Sequence, residues 1–538
     1  MEHHTAGEAH KTFRVVIVGG GSSGWMTAAY LSRAFGCSVS IQLIESPTIS
    51  TVGVGEATFS DLHLFFEFLG LQEEDWMQEC NAAYKIAIRF EDWNAERRAF
   101  YHPFERLEIV NGRSIAEWWL KLQPAAFDRT CYVTSVVCDA QRSPRFLDGR
   151  VYDSKTEGHI GTTRSEKPLL LEDLQIQYPY AYHFDASLFA KYLCKYARQR
   201  GVIQLFDEVL EVQLSPAGAI QKLQTREHGA IEGDLFIDCT GFRGLLINQA
   251  LNEPFISFLQ SLPCDRAVAM QVPGNGAVEG MNPFTTATAL SAGWAWNIPL
   301  YHRVGTGYVY SSACISADEA EKEFRAHLGE RSEGCVAQHI RIRVGRNRNS
   351  WVKNCVAIGL SSGFVEPLES TGLFFIQHAI EQLVTHFPSN GYKEEAIQSY
   401  NRIIGECIDG VREFLTLHYV ASSRYDTKFW KLTKHELTVL PDLSERLKLW
   451  KTRLPSRRTI RSGYHGFGVH NYCAMLMGLG WRPNRHLAVL DHIDNRDALQ
   501  AFERIHHKAE GLTRALPSEY EYLRTQYTQT PVAQGVHV

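Results

Sequence analysis

One lysine stands inside a largely apolar run, Ala82-Ala83-Tyr84-Lys85-Ile86-Ala87-Ile88. A buried ammonium is costly without a partner, so such a lysine tends to have a depressed pKa or a nearby carboxylate, and both serve catalysis. The plainer reading is a strand-edge lysine whose head reaches water. Far along the chain, Gly363-Phe364-Val365-Glu366-Pro367-Leu368-Glu369-Ser370-Thr371-Gly372 leads into a long apolar run. Serine and threonine suit the N-cap of a helix, and a helix start with exposed N–H groups can hold an anion. Thr371 and Gly372 are therefore candidates to hold a halide. Glu369 beside them must have its charge paired or tuned; a capped helix with a solvated glutamate accounts for the segment equally well. In Gly293-Trp294-Ala295-Trp296-Asn297-Ile298-Pro299, a strand would point both indoles the same way. They would then wall a cavity or simply fill a core.

A second constellation binds rather than reacts. Gly19-Gly20-Gly21-Ser22-Ser23-Gly24 is a GxGxxG between the β-branched run Phe13–Val18 and the helical run Trp25–Phe35. Gly19 allows the tight turn, Gly21 lets a pyrophosphate approach the backbone, and Gly24 lets helix pack on sheet. Glu45 ends the next strand, Val39–Glu45, where a ribose-binding carboxylate belongs. Strand, loop, helix, strand and acid agree on dinucleotide binding, where a lone glycine turn would not. The apolar run Gly233–Gly241, ending Asp238-Cys239-Thr240-Gly241, resembles the strand that closes the nucleotide site of FAD-dependent oxygenases. A second GxGxxG in matching context is missing, which favours reduced flavin delivered by a separate NAD(P)H-dependent reductase.

The elements that must position these groups follow from pattern. The chain has 538 residues, 44% hydrophobic and 21% charged, enough for a large core and against global disorder. Net charge is -5 and pI near 6.5, giving no reason to expect nucleic acid or an anionic membrane. Twelve cysteines occur without a CxxC pair, and no metal site is expected. Neither a signal peptide nor an apolar run of membrane-spanning length is evident, so a cytoplasmic setting is the expectation. Strands are predicted over 202–212, 220–227 and 234–239, and helices over 186–201, 318–328, 373–387, 394–417 and 497–516. The fold class is α/β: a Rossmann-like FAD-binding body of the flavin monooxygenase type with a mostly helical C-terminal portion. The predicted organisation is a leader over 1–11, the body with its substrate-pocket insertions over 12–372, a substrate-covering helical region over 373–528, and a tail over 529–538. Arg341, Arg343, Arg346 and Arg348 form a basic run, but its alternation through 340–344 points to a structural strand and loop.

Taken together, the segments GGGSSGWMTAAYL (19–31), GVGEATFS (53–60), AAYKIAIRF (82–90), YHPFE (101–105), YPYAYHF (178–184), DCTGFRGLL (238–246), WAWNIP (294–299) and FVEPLESTG (364–372) resemble the flavin-dependent tryptophan halogenases, in that family's order. The resemblance runs from about Phe13 to Leu523 and is closest to the branch acting at indole C5 or C6. It implies an enzyme using reduced FAD, oxygen and chloride or bromide to halogenate the indole of tryptophan, with C6 preferred and C5 next. Gly19, Gly21, Ser22, Ser23, Gly24, Glu45 and Gly359 would bind FAD. Gly55, Glu56 and Ala57 would do so from a strap, 51–60, linking flavin and substrate sites. Thr371 and Gly372 would hold the halide. Hypohalous acid would travel inside the protein to Lys85, acting as hydrogen-bond donor or as haloamine. Glu369, across from Lys85, would polarise the oxidant or take the ring proton. Trp294, Trp296, Ile298 and Pro299 would separate the ring from the flavin.

The substrate pocket implied by the resemblance comprises Phe59, Ser60, His102, Pro103, Phe104, Gln177, Tyr180 and Phe467. His470 and Tyr472 stand where the branch often has tyrosine and tryptophan, at positions that help clamp the amino-acid end. The same chemistry on a tryptophan derivative, a peptide or free indole therefore remains an alternative. So do an FAD-dependent aromatic hydroxylase and a flavin-binding protein without catalysis. The assembly admits a homodimer.

Overall fold

The computed structural model describes residues 12–48, 55–152, 180–388 and 391–529. Gln177 and the first part of the strap, 51–54, lie outside the described residues. Phe13–Val18 is a buried strand at the centre of a six-stranded sheet ordered Ile203–Phe206, Val39–Glu45, Phe13–Val18, Leu235–Asp238, Cys355–Ala357, Trp351–Val352. The first five run parallel and Trp351–Val352 turns back antiparallel. Consecutive valines and isoleucine suit a strand covered on both faces. On one face the helix Ser22–Phe35 crosses over and packs against Ala186–Arg198. On the other, the antiparallel meander of Val209–Leu214, Ile220–Thr225 and Ala230–Glu232 closes a smaller core around Val16, Leu223 and Phe236.

The expected strand 202–212 is two strands belonging to different sheets. Asp207 breaks it: its carboxylate collects the backbone N–H groups of Glu208, Arg226, Glu227 and His228, an interaction only a turn can offer. The basic run is likewise interrupted, with strands at Gln338–Arg341 and Gly345–Asn347.

A second, seven-stranded sheet is ordered Gln338–Arg341, Arg266–Pro273, Arg303–Tyr310, Gly293–Pro299, Phe284–Ala289, Ala87–Glu91, Phe100–Pro103. Its neighbours are antiparallel except Phe284–Ala289 beside Ala87–Glu91. A three-stranded antiparallel sheet, Gly55–Ala57, Ala181–Asp185, Ala83–Lys85, lies against it. The chain crosses between the two sheets at Ile86, whose N–H reaches Pro283 O at 2.7 Å. Gly55 allows close stacking at this junction: a Cβ on Gly305 would lie 2.7 Å from Gly55 N.

From Gly372 the chain is mostly helical: Gly372–Thr385, Glu394–Ala421, Lys428–His435, Pro441–Leu449, Val469–Gly478, Arg496–Ala515 and Glu519–Gln529. One hydrophobic core continues through both portions, joining Val15, Trp294, Phe414, Tyr472 and Leu523. Among the described residues, no helix is long and apolar enough to cross a membrane.

Candidate active site

The glycine loop has the shape its spacing predicts. Gly19 adopts φ +116°, and a Cβ there would strike Cys239 O at 2.2 Å. A Cβ on Gly24 would lie 1.9 Å from Gly19 O, so helix and loop touch backbone to backbone. At Gly21 a Cβ would meet nothing within 4 Å, and no side chain caps the helix that Ser22 and Ser23 begin. Open space beside uncapped N–H groups is what a diphosphate requires. Glu45 ends its strand beside the loop, steadied by Gln204 Nε2 at 2.9 Å. Gly359, at φ +81°, closes the loop's flank, where a Cβ would reach Ser23 Cβ at 2.8 Å. These residues fit a dinucleotide. Asp238 of the later strand serves the fold instead, accepting from Thr240, Leu246 and Ile247.

Lys85 ends the strand Ala83–Lys85 and is fully buried. Its Nζ donates to Thr58 O at 3.0 Å and Ser370 Oγ at 2.8 Å, and lies 5.3 Å from the Phe104 ring centre. Burial lowers the amine to about 7, with the Glu369 charge pulling the other way. The water-reaching reading of this lysine does not hold. The expected serine or threonine cap is also absent: Ser370, in the left-handed region at φ +60°, turns its hydroxyl to Lys85, and Thr371 makes no side-chain cap. The first N–H groups of the 14-residue helix Gly372–Thr385 are thus not taken by these side chains, and a Cβ on Gly372 would meet nothing within 4 Å.

Glu369, 2% exposed, forms no ion pair with Lys85. Its carboxylate meets His102 Nδ1 at 2.9 Å and His418 Nε2 at 2.7 Å. Burial pushes the carboxyl up, but His102 and His418 outweigh it and bring it down to about 2. His418 was not singled out from the sequence. Its one signal is a histidine within the apolar stretch Phe414–Tyr419 of the helix Glu394–Ala421. Glu366, three residues before Glu369, goes elsewhere. It accepts from Trp294 Nε1 at 3.0 Å and from the Tyr419 hydroxyl, and burial lifts it to about 7.

The two tryptophans therefore differ. Trp294 is tied into the core through Glu366, while Trp296 lies across Gly307 with its Nε1 unpartnered among the described residues. Ile298 packs towards Gly55, and Pro299 ends the same strand. Glu56, between Gly55 and Ala57, is raised to about 7 by burial and by Asp185.

Beside Lys85 aromatic rings pack together. Phe59 meets Phe104, Phe374 and Phe467 at centroid distances of 6.0, 5.6 and 5.5 Å, and Phe467 stacks on Phe414 at 4.0 Å. Ser60 is partly exposed at its edge, and Pro103 is buried at the end of the strand carrying His102. Tyr464, on the segment leading to Phe467, hydrogen-bonds Asp61 just after the strap. Other expected pocket residues are committed elsewhere. The Tyr180 hydroxyl is held by Glu73 and Arg145. Tyr472 is fully buried against Phe414 and Trp450, with its hydroxyl unpartnered among the described residues. His470 is half-buried near the start of its helix. Asn471, between the two, is the residue that reaches the cluster, donating to His102 Nε2 at 2.9 Å.

Comparison with known proteins completes the picture. The family model described as tryptophan halogenase matches residues 14–495. Tryptophan 6-halogenase SttH of Streptomyces toxytricini is 51% identical, over 95% of this chain and 97% of its own length. 7-chloro-L-tryptophan 6-halogenase KtzR of Kutzneria sp. (strain 744) is 49% identical, over 95% of this chain and 98% of its own. The solved structure of Tar14, a tryptophan C-6 flavin-dependent halogenase (chlorinase) from taromycin biosynthesis, superposes with a TM-score of 0.90 at 49% identity, covering 96% of this chain and 99% of that one.

Proposed function

Because the chain belongs to the tryptophan halogenase family of flavin-dependent enzymes, which use reduced FAD, halide and oxygen, we propose that it halogenates the indole ring of free L-tryptophan at C6. The observation that carries this reading is the wholly buried Lys85, its amine lowered to about 7, beside the packed rings of Phe59, Phe104 and Phe467. Similarity to the 6-halogenases SttH and KtzR supports the choice of C6.

Gly19, Gly21, Ser22, Ser23, Gly24 and Glu45 hold the flavin, with Gly359 behind them and Gly55, Glu56 and Ala57 along the strap. Reduced FAD, when bound, supplies the two electrons that convert oxygen and halide into hypohalous acid. The backbone N–H groups of Thr371 and Gly372 hold the halide at the helix start. Lys85 receives the electrophilic halogen and presents it to the ring carbon held nearest. The halogen adds to that carbon, and Glu369 takes the displaced ring proton; indole and hypohalous acid thus leave as haloindole and water. Trp296 and Ile298 keep the ring on the Lys85 side. A separate flavin reductase supplies FADH2, in the cytoplasm. The division at 372 is descriptive, since residues from both portions meet at Glu369.

Incubation with a flavin reductase, NADH, chloride and tryptophan, followed by NMR of the product, tests the reading. 6-Chlorotryptophan is expected. A hydroxylated product formed without halide would replace halogenation with direct oxygenation, and no product would leave a flavin-binding protein. A second substrate is favoured by the 49% identity to KtzR: 7-chlorotryptophan, to be run in parallel.

A further inference from the structure

Glu369 is held by two histidines, and the partners of their other ring nitrogens show that they are not equivalent. His102 gives Nδ1 to the carboxylate and turns Nε2 to Asn471 Nδ2 at 2.9 Å. The Asn471 amide cannot be flipped, because its Oδ1 accepts the Gly468 N–H at 2.7 Å. Asn471 therefore donates, His102 Nε2 carries the lone pair, and one proton, on Nδ1, satisfies the ring. His418 has no such donor. Its Nε2 faces Glu369 Oε1 at 2.7 Å, and its Nδ1 faces the Phe414 carbonyl at 2.7 Å. Both oxygens only accept, so His418 makes both bonds only with a proton on each nitrogen. Phe90, Trp93 and Phe414 surround this fully buried ring.

We propose that His418 is the imidazolium that balances the Glu369 carboxylate, so that Lys85 is left as a neutral amine rather than as the counter-ion of Glu369. The inference rests on the roles given to Lys85 and Glu369 above and adds a positioning residue to them. The groups facing Lys85 agree with it. Thr58 O and Ser370 Oγ are uncharged, and His183, on the same face of the strand pairing, is kept neutral by burial. Among the described residues, Glu369 is the one carboxylate whose charge raises Lys85, and two imidazoles occupy its oxygens. Were His418 uncharged, the buried carboxylate would draw its proton balance from Lys85.

The test uses the full-length protein and two readouts. Lysine labelled at Cε, with K85R to assign the signal, gives the titration of the Lys85 amine by NMR. His418→Gln retains a donor towards Glu369 but no charge, and should shift that titration upward by roughly one pH unit or more. The acid limb of the halogenation profile should move by the same amount. In the double variant Glu369→Gln/His418→Gln the shift should vanish. Neutron diffraction of the unaltered protein at pH 8 should place deuterium on both His418 nitrogens, and this arm survives a variant that fails to fold. A single deuterium on His418, or a Lys85 titration unmoved in a folded His418→Gln protein, overturns the proposal. A protein that passes both NMR and neutron arms but halogenates nothing overturns the functional reading instead.

Discussion

Lys85 Nζ and Ser370 Oγ meet at 2.8 Å across 285 positions of chain. Ser370 lies between Glu369 and Thr371, so this one hydrogen bond ties the amine to the carboxylate segment and to the start of the helix Gly372–Thr385. Its left-handed backbone, φ +60°, turns the hydroxyl inward. Ser370→Ala should cost about 1–3 kcal/mol of local organisation around the amine. The expected outcome is a turnover loss of about tenfold with FAD affinity unchanged, measured by single-turnover kinetics and flavin titration.

Lys85→Met should abolish halogenation, by about 10³-fold or more, and yet stabilise the fold. The amine falls from 10.5 to about 7 on folding. Between those values the unfolded chain binds the extra proton, so this group makes stability rise with pH across that window. Below it, the lysine costs roughly 5 kcal/mol that methionine does not. Some of that gain is lost with the bonds to Thr58 and Ser370, leaving a net of about 1–2 kcal/mol. Chemical denaturation at pH 7 and pH 10 should show a gain that shrinks at the higher pH.

Rate should depend on pH through the same amine. The neutral form increases as pH rises through about 7, so kcat/KM should climb up to tenfold per unit below 7 and level off above. A profile falling above 7 would instead assign the protonated lysine as hydrogen-bond donor to the oxidant. Glu369 sets a separate acid limit on stability. Its folded value lies below the ordinary carboxylate value, so its contribution is present above that ordinary value and lost as pH falls through the folded one.

Two glycine substitutions separate binding from folding. Gly24→Ala places a methyl 1.9 Å from Gly19 O and should destabilise the protein without any ligand. Gly21→Ala meets no protein atom within 4 Å. Its melting temperature without flavin should stay within a degree or two, while FAD affinity falls about tenfold or more. Equal FAD affinity would remove the diphosphate from Gly21.

Gly307→Ala should act on Trp296. The new Cβ would lie 2.2 Å from the Trp296 ring, and overpacking of this kind costs about 1–3 kcal/mol. Trp296 must move, so oxidant should leak before reaching the ring. The measurable outcome is a lower ratio of halogenated product to FADH2 consumed, with tryptophan binding retained.

The parts legible in sequence are those whose spacing carries a local geometry. The first strand, the glycine loop and Glu45 lie within one supersecondary unit, so period and glycine placement determine them. Lys85 is conspicuous because a charge breaks an apolar run. The split at Asp207 was missed, because it is set by N–H groups from residues 226–228 on another turn. The Glu369 cluster was half legible. The glutamate stands in a motif, whereas His418 and Asn471 come from separate helices whose periodicity shows only which side is buried. Nothing in the sequence marks Asn471, which lies between His470 and Tyr472, as the partner of His102.

The carboxylate cage draws on His102, Glu369, His418 and Asn471. During synthesis, the glycine loop leaves the ribosome within the first tenth of the chain, while Asn471 arrives only near its end. The nucleotide sheet is complete only once Cys355–Ala357 has emerged, and the carboxylate cage only after Asn471. Fusion or circular permutation must leave that late joining intact.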